Sequence, residues 1–215
     1  PNEVIWVVNA QHVLTLGDLF LKGIYDPSIV GTIAGPGVKN PAHIKTRIGA
    51  NFETFLSNNL HSDDNRVISG DVLTGQHIDE DGALGFYHTN VTVIEEGKEQ
   101  EFLGWMMPGL DKFSASKTFL SWLMPNKKYA LNANMHGEER AYVMTGEYEK
   151  VLPMDIYPTQ LIKACMIEDI ELMENLGIYE VSPEDLALCE FICTSKIEVQ
   201  SIIRHGLDLV RKENS

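Results

Sequence analysis

The sequence contains few cysteines, few basic residues and no long apolar run. Its three cysteines, Cys165, Cys189 and Cys193, are too few and too unevenly spaced for a disulfide framework, which favours buried thiols in a reducing cytoplasm. No apolar run approaches the roughly 20 residues that cross a bilayer as a helix. The chain has 17 basic and 31 acidic residues, which gives a formal net charge of −14. This charge disfavours binding to nucleic acid, and it disfavours binding to anionic lipid through a basic surface. A membrane partner of this chain is therefore expected to be a protein.

The residues that are present are typical of a packed globular protein. Hydrophobic residues make up 44% of the 215 residues and charged residues 22%, so the chain can bury a core in one or two domains. The chain begins without a methionine and enters at once an apolar, β-branched run at residues 4–8, which predicts a buried strand. We therefore expect that this start was cut from a longer protein.

Residues 1–40 are predicted to form a strand, a helix and a second, parallel strand. Apolar spacing indicates a helix over residues 13–22, and Gly23 suits the left-handed turn that ends a helix. Residues 29–34 are typical of a buried strand that ends at the turn of residues 35–37. Such a unit is a right-handed crossover and indicates the C-terminal end of an α/β domain.

Residues 41–109 are predicted to form a small α+β unit of β-grasp type. Strands are expected at residues 43–48, 66–70 and 90–94, and a hairpin turn at 95–98 should return the chain as a strand over 99–105. Asn51 is placed to cap a short helix that continues to Leu56.

The remainder divides into an irregular extension at residues 110–152, with short strands, and a helical domain at 153–215. A helix that opens near Pro158 should end at Gly177, and Ser182 followed by Pro183 is a strong signal for a second helix start. The last helix is expected over residues 197–212. The predicted fold class is therefore α+β.

No residue pattern supplies a convincing phosphate or metal site. The glycine-rich turn of residues 31–37 lacks both dinucleotide and phosphate-loop patterns, and Pro36 removes an amide donor, so a turn is the better interpretation. Cys189 and Cys193 share one helix face, but Cys165 is distant in sequence and an iron–sulfur cluster needs four ligands. Buried small side chains are favoured over metal ligands.

The polar candidates for catalysis are equally weak. His136, with Glu138 and Glu139, could act as a general acid or base, but a solvated loop is favoured. Ser69 lacks the flanking glycines of a nucleophile elbow. The acidic residues 63–64 and 79–81 could bind a cation weakly, yet solvated turns explain them. We assign no catalytic, cofactor-binding or metal-binding residue.

Two apolar stretches, residues 102–107 and 119–124, allow two interpretations. A core strand is favoured for the first. The alternative is an edge on which another subunit docks, because Trp and Met are enriched at interfaces. The second stretch raises the same question.

Several segments, in one order across almost the whole chain, resemble the A subunit of the Na⁺-translocating NADH:quinone reductase (Na⁺-NQR). The resemblance covers about the C-terminal half of a family member. The segments are residues 34–41 (AGPGVKNP), 46–50 (TRIGA), 65–75 (NRVISGDVLTG), 102–105 (FLGW), 137–141 (GEERA), 153–156 (PMDI) and 184–189 (EDLALC).

The resemblance implies that residues 1–40 end a Rossmann-like domain, that 41–109 form a soluble-ligand-binding β-grasp domain, and that 153–215 form a helical domain. It implies a peripheral subunit on the cytoplasmic face of a bacterial inner membrane, in a complex that passes electrons from NADH to ubiquinone and exports Na⁺. The complex uses flavins and iron–sulfur centres in other subunits, which are the expected partners, and a contact with ubiquinone is open. In related subunits this helical region carries cluster-ligating cysteines, whereas here it offers only Cys189 and Cys193.

Three functions follow as hypotheses. The first is a structural and interacting part of that pump, inactive and without a cofactor when alone. The second is an NADH- and FMN-binding module like the flavoprotein subunit of complex I, although the chain lacks a glycine-rich flavin loop. The third is a stand-alone β-grasp module that binds a small ligand.

Overall fold

The computed structural model describes residues 5–79, 82–98 and 101–214. The chain forms two compact units: one comprises residues 1–98 with 130–133, and the other comprises 99–129 with 134–215. The strands are β1 (Ser28–Ala34), β2 (Ala42–Arg47), β3 (Asn65–Ser69), β4 (Gln76–Ile78) and β5 (Asn90–Glu95). The α-helices are α1 (Ala10–Lys22), α2 (Glu53–Leu56), α3 (Pro158–Met166), α4 (Ile170–Asn175), α5 (Ala187–Ile192) and α6 (Val199–Glu213).

The first unit is built on one mixed sheet with the strand order β2-β1-β5-β3-β4. β1 runs antiparallel to β2 and parallel to β5, while β3 runs antiparallel to both β5 and β4. Alternate residues of β1, β3 and β5 point to one face, where they pack with the aromatic and aliphatic residues of the α2 region. This core contains Ile29, Ile33, Val38, Phe52, Leu56, Val67, Leu84, Val91 and Val93.

The predicted crossover of residues 1–40 is wrong. Residues 5–9 form no strand and their side chains are exposed, while Val4 lies outside the described residues. The physical reason is that both edges of β1 are occupied, by β2 and by β5, so no edge is free for a further strand. β1 therefore belongs to the same sheet as the strands that follow it.

The predicted first helix is confirmed as α1. The side chain of Asn9 accepts a hydrogen bond from the amide of Gln11 at its start, and Gly23 ends it in the left-handed region with φ of 69°. None of its residues is buried. The Gln11 side chain holds the helix against β1, since its Oε1 accepts from the Val30 amide (2.7 Å) and its Nε2 donates to the Val30 carbonyl (3.0 Å).

The predicted hairpin partner of β5 is also wrong. Residues 99 and 100 lie outside the described residues, but Phe102 and Leu103 form a turn and Gly104–Met106 form a 3₁₀ helix. β5 lies between β1 and β3 in the sheet, so a returning strand has no edge to join. The short helix at Asn51 is confirmed, because Asn51 Oδ1 accepts from the Glu53 amide (2.7 Å).

The helices of the second unit surround a separate core. The predicted starts at Pro158 and Ser182 are confirmed, and Asp185 completes a capping box with Ser182. The single helix expected to run to Gly177 is wrong, because a break between α3 and α4 includes Glu168 with φ of 58°. The core contains Tyr148, Leu152, Leu161, Ile162, Ala164, Cys165, Met173, Ile178, Val181, Leu186, Cys189, Cys193, Ile197, Val199, Ile203 and Val210.

Between the sheet and these helices the chain is irregular, as expected. Described residues 108–152 contain 3₁₀ helices at Leu120–Leu123 and Tyr148–Lys150 and no strand, so the short strands expected there are wrong. The sheet and the helices α3–α6 lie in different parts of the chain, in agreement with a mixed fold. The boundaries at residues 40, 109 and 152, and the Rossmann-like and β-grasp assignments, stay predictions.

Candidate functional site

The most organised polar cluster of the first unit lies where β3 ends. Ser69 is almost fully buried, and its Oγ accepts a hydrogen bond from the Gly85 amide (3.0 Å). The same Oγ lies 2.8 Å from His88 Nδ1. The buried hydroxyl thus contacts both the Gly85 amide and the His88 ring, which fixes the ring beside the end of β3. The cluster therefore presents the imidazole of a fixed histidine.

The residues after Ser69 form a tight turn beside this histidine. Gly70 adopts φ of 99°, and a Cβ there would lie 3.4 Å from the His88 ring and 3.1 Å from Gly75. Asp71 Oδ1 accepts from the amides of Leu73 (2.7 Å) and Thr74 (2.9 Å). Partial burial acts to raise the pKa of the Asp71 carboxyl, but these hydrogen bonds and the nearby His88 outweigh it and lower the pKa below its usual range. Asp71 therefore stays ionised at neutral pH.

This arrangement is suited to binding and orienting a ligand, and it is not suited to nucleophilic attack. Ser69 is too deeply buried for its oxygen to reach a substrate carbonyl, so the Ser69–His88 pair is not a nucleophile with its base. What remains chemically useful is a partly buried imidazole next to an ionised carboxylate. Sequence reasoning considered Ser69 only as a nucleophile and missed His88, because a separation of 19 positions leaves no spacing signal.

The glycine-rich turn of residues 31–37 serves the sheet. A Cβ at Gly35, which has φ of 117°, would lie 2.1 Å from the Val93 carbonyl oxygen, and the Gly37 amide donates to that oxygen (3.0 Å). The glycines thus allow the turn to contact the β5 backbone. The interpretation as a turn is confirmed.

The three cysteines are buried thiols in the core of the second unit, as predicted. Burial raises the pKa of the Cys165 and Cys189 thiols to about 11. The Tyr148 hydroxyl donates to Cys193 Sγ (2.9 Å), and burial raises the pKa of that phenol as well. The Cys165 and Cys189 thiols and the Tyr148 phenol are therefore neutral at physiological pH.

The remaining candidates do not assemble into a site. His136 adopts φ of 49°, and partial desolvation together with the Lys112 charge lowers its pKa. The other charges acting on it belong to Glu101 and Lys196 rather than to the expected Glu138 and Glu139.

The acidic pairs give the same result. Asp64 forms an ion pair with Lys98, and residues 80 and 81 lie outside the described residues. Among the residues that the structure describes, no group of three or more His, Cys, Asp or Glu side chains could hold a metal ion.

The two apolar stretches are exposed. Phe102 is 91% exposed and Trp105 73%, and Trp122 and Leu123 are also exposed. The favoured interpretation of residues 102–107 as a core strand is therefore wrong. Within the described ranges, no helix is long and apolar enough to cross a membrane.

Comparison with known proteins identifies relatives over almost the whole chain. A family model described as "NQRA C-terminal domain" matches residues 31–80. The A subunit of Na(+)-translocating NADH-quinone reductase from Rhodopirellula baltica is 42% identical over 215 residues, which is 99% of this chain and 47% of that protein. Proteins of the same name from Vibrio anguillarum and Shewanella denitrificans are 42% and 40% identical, over 98% and 97% of this chain and 48% and 47% of their own lengths.

The chain thus spans about half the length of the relatives it matches. The segments that suggested the resemblance lie in both compact units, and the family match includes most of β1 and all of β2, β3 and β4. The chain belongs to the family formed by the A subunits of Na(+)-translocating NADH-quinone reductase.

Proposed function

We propose that this chain is part of an A subunit that works within a Na⁺-translocating NADH:quinone reductase, as a peripheral component at the cytoplasmic face of the membrane. One observation carries the proposal: relatives of that name are about 40% identical along 97–99% of the chain. At this identity the cores and turns that define the fold are shared. Its proposed role is structural: it stabilises the A subunit and contacts the other subunits.

The distribution of exposed apolar residues supports a role in assembly. α1 carries Leu14, Phe20 and Leu21 at high exposure. Exposed apolar patches of this kind mark surfaces on which other chains dock. The electron carriers of the complex are proposed to reside in the other subunits.

A chimera tests the proposal. The half of the Vibrio anguillarum relative that matches this chain is replaced by it, and the chimera is expressed in a strain that lacks the native protein. We expect the chimera to restore Na⁺-dependent NADH:quinone reductase activity and to co-purify with a tagged partner subunit. A relative truncated before this half is the control, and a chimera that folds by circular dichroism but does not co-purify contradicts the proposal.

A second candidate function rests on the Ser69–His88 cluster. A fixed imidazole beside the ionised Asp71 is the kind of polar pair that orients a small ligand in a β-grasp domain. Titration of ¹⁵N-labelled chain with ubiquinone-1, and separately with FMN and NADH, tests it by the resonances of His88. Saturable chemical shift changes at His88, with weaker binding of the ligand by His88→Gln, support binding there, and saturation without any change at His88 contradicts it. Binding of FMN or NADH would instead favour the flavin module.

A further inference from the structure

Residues 101–129, here called the apolar platform, have an inverted distribution of polar and apolar side chains. Phe102, Trp105, Met106, Met107, Trp122 and Leu123 are exposed, whereas Gly104 and the hydroxyl-bearing Ser121 are buried. A folded domain normally buries such large side chains, because each gains roughly 1.5–3 kcal/mol on leaving water. The platform therefore presents its apolar side outwards.

Hydrogen bonds on the buried side hold the two apolar stretches next to each other. Lys112 Nζ donates to the Gly104 carbonyl (3.0 Å), and the Ser121 hydroxyl donates to the Lys112 carbonyl (2.5 Å). The Leu120 amide donates to the Pro108 carbonyl (2.9 Å). The platform thus forms one surface from two separate stretches of chain.

Within the second unit, an aromatic contact joins the platform to helix α5. The Phe113 ring stacks on Phe191 of α5 with centroids 5.5 Å apart, and it meets Tyr129 edge-on at 5.8 Å. The segment that carries the exposed side chains is therefore held in place by its contact with α5.

The charge of the platform is opposite in sign to that of the chain. It contains four lysines and two carboxylates, a formal charge of +2 in a chain of −14. Lys112 pairs with Glu101 and Lys127 with Asp111. Lys117 and Lys128 are exposed, and no carboxylate of the described residues forms an ion pair with either.

This combination favours lipid over protein as the occupant. Protein interfaces are enriched in Trp and Met but depleted in Lys, whereas segments that lie in the membrane interface combine Trp with Lys. The net negative charge argued against anionic lipid as a partner, but repulsion from distant charges is screened within about 8 Å at physiological salt. The local positive charge of the platform then determines its attraction to anionic lipid.

We propose that the apolar platform inserts its exposed side chains into the interface of a bilayer that contains anionic phospholipid, with Lys117 and Lys128 at the headgroups. This binding site goes beyond the proposed function and stands without it, since it requires no other subunit.

The full chain is tested with vesicles of phosphatidylcholine, alone or with about one third phosphatidylglycerol. A Trp6→Phe background leaves Trp105 and Trp122 as the fluorophores. We expect co-sedimentation with the anionic vesicles, a blue shift of the emission and quenching by brominated lipid. Phe102→Ser with Leu123→Ser should weaken binding about tenfold or more, because two apolar side chains no longer enter the interface.

Matched variants isolate the two contributions. Phe20→Ser with Leu21→Ser changes the same two residue types at exposed positions of α1 and should leave binding unchanged. Lys117→Gln with Lys128→Gln should weaken binding to anionic vesicles about fivefold per lysine, whereas Lys39→Gln with Lys45→Gln should not. Circular dichroism of each variant checks that it is folded.

Three results would overturn the proposal. They are absence of binding to anionic vesicles, binding without a blue shift, and equal losses in the platform and control variants. A chimera that assembles into the complex while the chain does not bind vesicles would leave the proposed function intact and contradict the lipid site. Vesicle binding by a chain whose chimera fails to assemble would support the lipid site and contradict the proposed function.

Discussion

Replacement of Gly206 by alanine offers a quantitative test of how the helical unit is packed. Gly206 is buried in α6, and a Cβ there would lie 2.6 Å from Cys165 Sγ, 3.3 Å from Cys165 Cβ and 3.4 Å from Met173 Sδ. Sulfur and carbon do not approach to 2.6 Å without a shift, and Cys165 is itself buried with a short side chain. Gly206 therefore sets the distance at which α6 crosses α3.

Two opposing effects determine the outcome of Gly206→Ala. Alanine favours the helix over glycine by about 1 kcal/mol. Overpacking of a core costs about 1–3 kcal/mol, and the 2.6 Å contact places this site in the upper part of that range. The expected net loss in the free energy of unfolding is therefore about 1–2 kcal/mol.

A second substitution makes the steric argument testable. Cys165→Ala removes the clashing sulfur and alone should cost about 1 kcal/mol, which is the burial of one such group. In the double variant the new methyl group occupies the space of the sulfur, so its stability should lie within about 1 kcal/mol of the parent chain. The losses should thus be strongly non-additive.

Urea unfolding followed by circular dichroism at the helical band measures these differences. Gly17→Ala in α1 is the matched control, because nothing lies within 4 Å of a Cβ there, and it should be neutral or stabilising. A Gly206→Ala variant as stable as the parent, or a double variant whose loss equals the sum of the two, would refute the close crossing.

Three further predictions concern single groups. Ser69→Ala should lower the free energy of unfolding by about 1–3 kcal/mol and shift the imidazole resonances of His88, because the partly buried Gly85 amide loses its acceptor and the His88 ring loses its hydrogen-bond partner. Burial raises the pKa of Cys189 from 9.0 to about 11, so its contribution to stability is complete below about pH 9 and is lost as the pH rises through 11. Unfolding curves between pH 8 and 11, compared with those of Cys189→Ser, measure it, and identical slopes would contradict it. Ser182→Ala should cost about 1 kcal/mol by removing the capping box with Asp185, whereas Ser182→Thr, which keeps the hydroxyl, should retain most of it.

Local sequence signals predicted those parts of the fold that depend on neighbouring residues. Gly23 ends α1, Pro158 and Ser182 start helices, and Asn51 accepts from the first amide of α2. Each effect acts within one turn of chain, so the residue types determine it. The buried state of the three cysteines followed from the same reasoning about residue type.

Strand partners could not be predicted in this way. The runs at residues 4–8 and 99–105 have the composition of strands, but β1 and β5 both have two neighbours in the sheet. Whether an apolar run becomes a strand depends on a free edge, which is a property of the whole sheet. The Ser69–His88 and Tyr148–Cys193 contacts could not be predicted either, because their members are 19 and 45 positions apart in the sequence and only the fold brings them together.

The sequence by itself determined the family, the helix ends and the sign of the net charge, because these depend on residue identity and short-range order. Only the tertiary structure decided which apolar residues are inside. Phe102 and Val93 look equally suited to a core, yet Val93 is fully buried in β5 while Phe102 is 91% exposed. Burial depends on which surfaces the folded chain brings together, and hydrophobicity alone does not specify them.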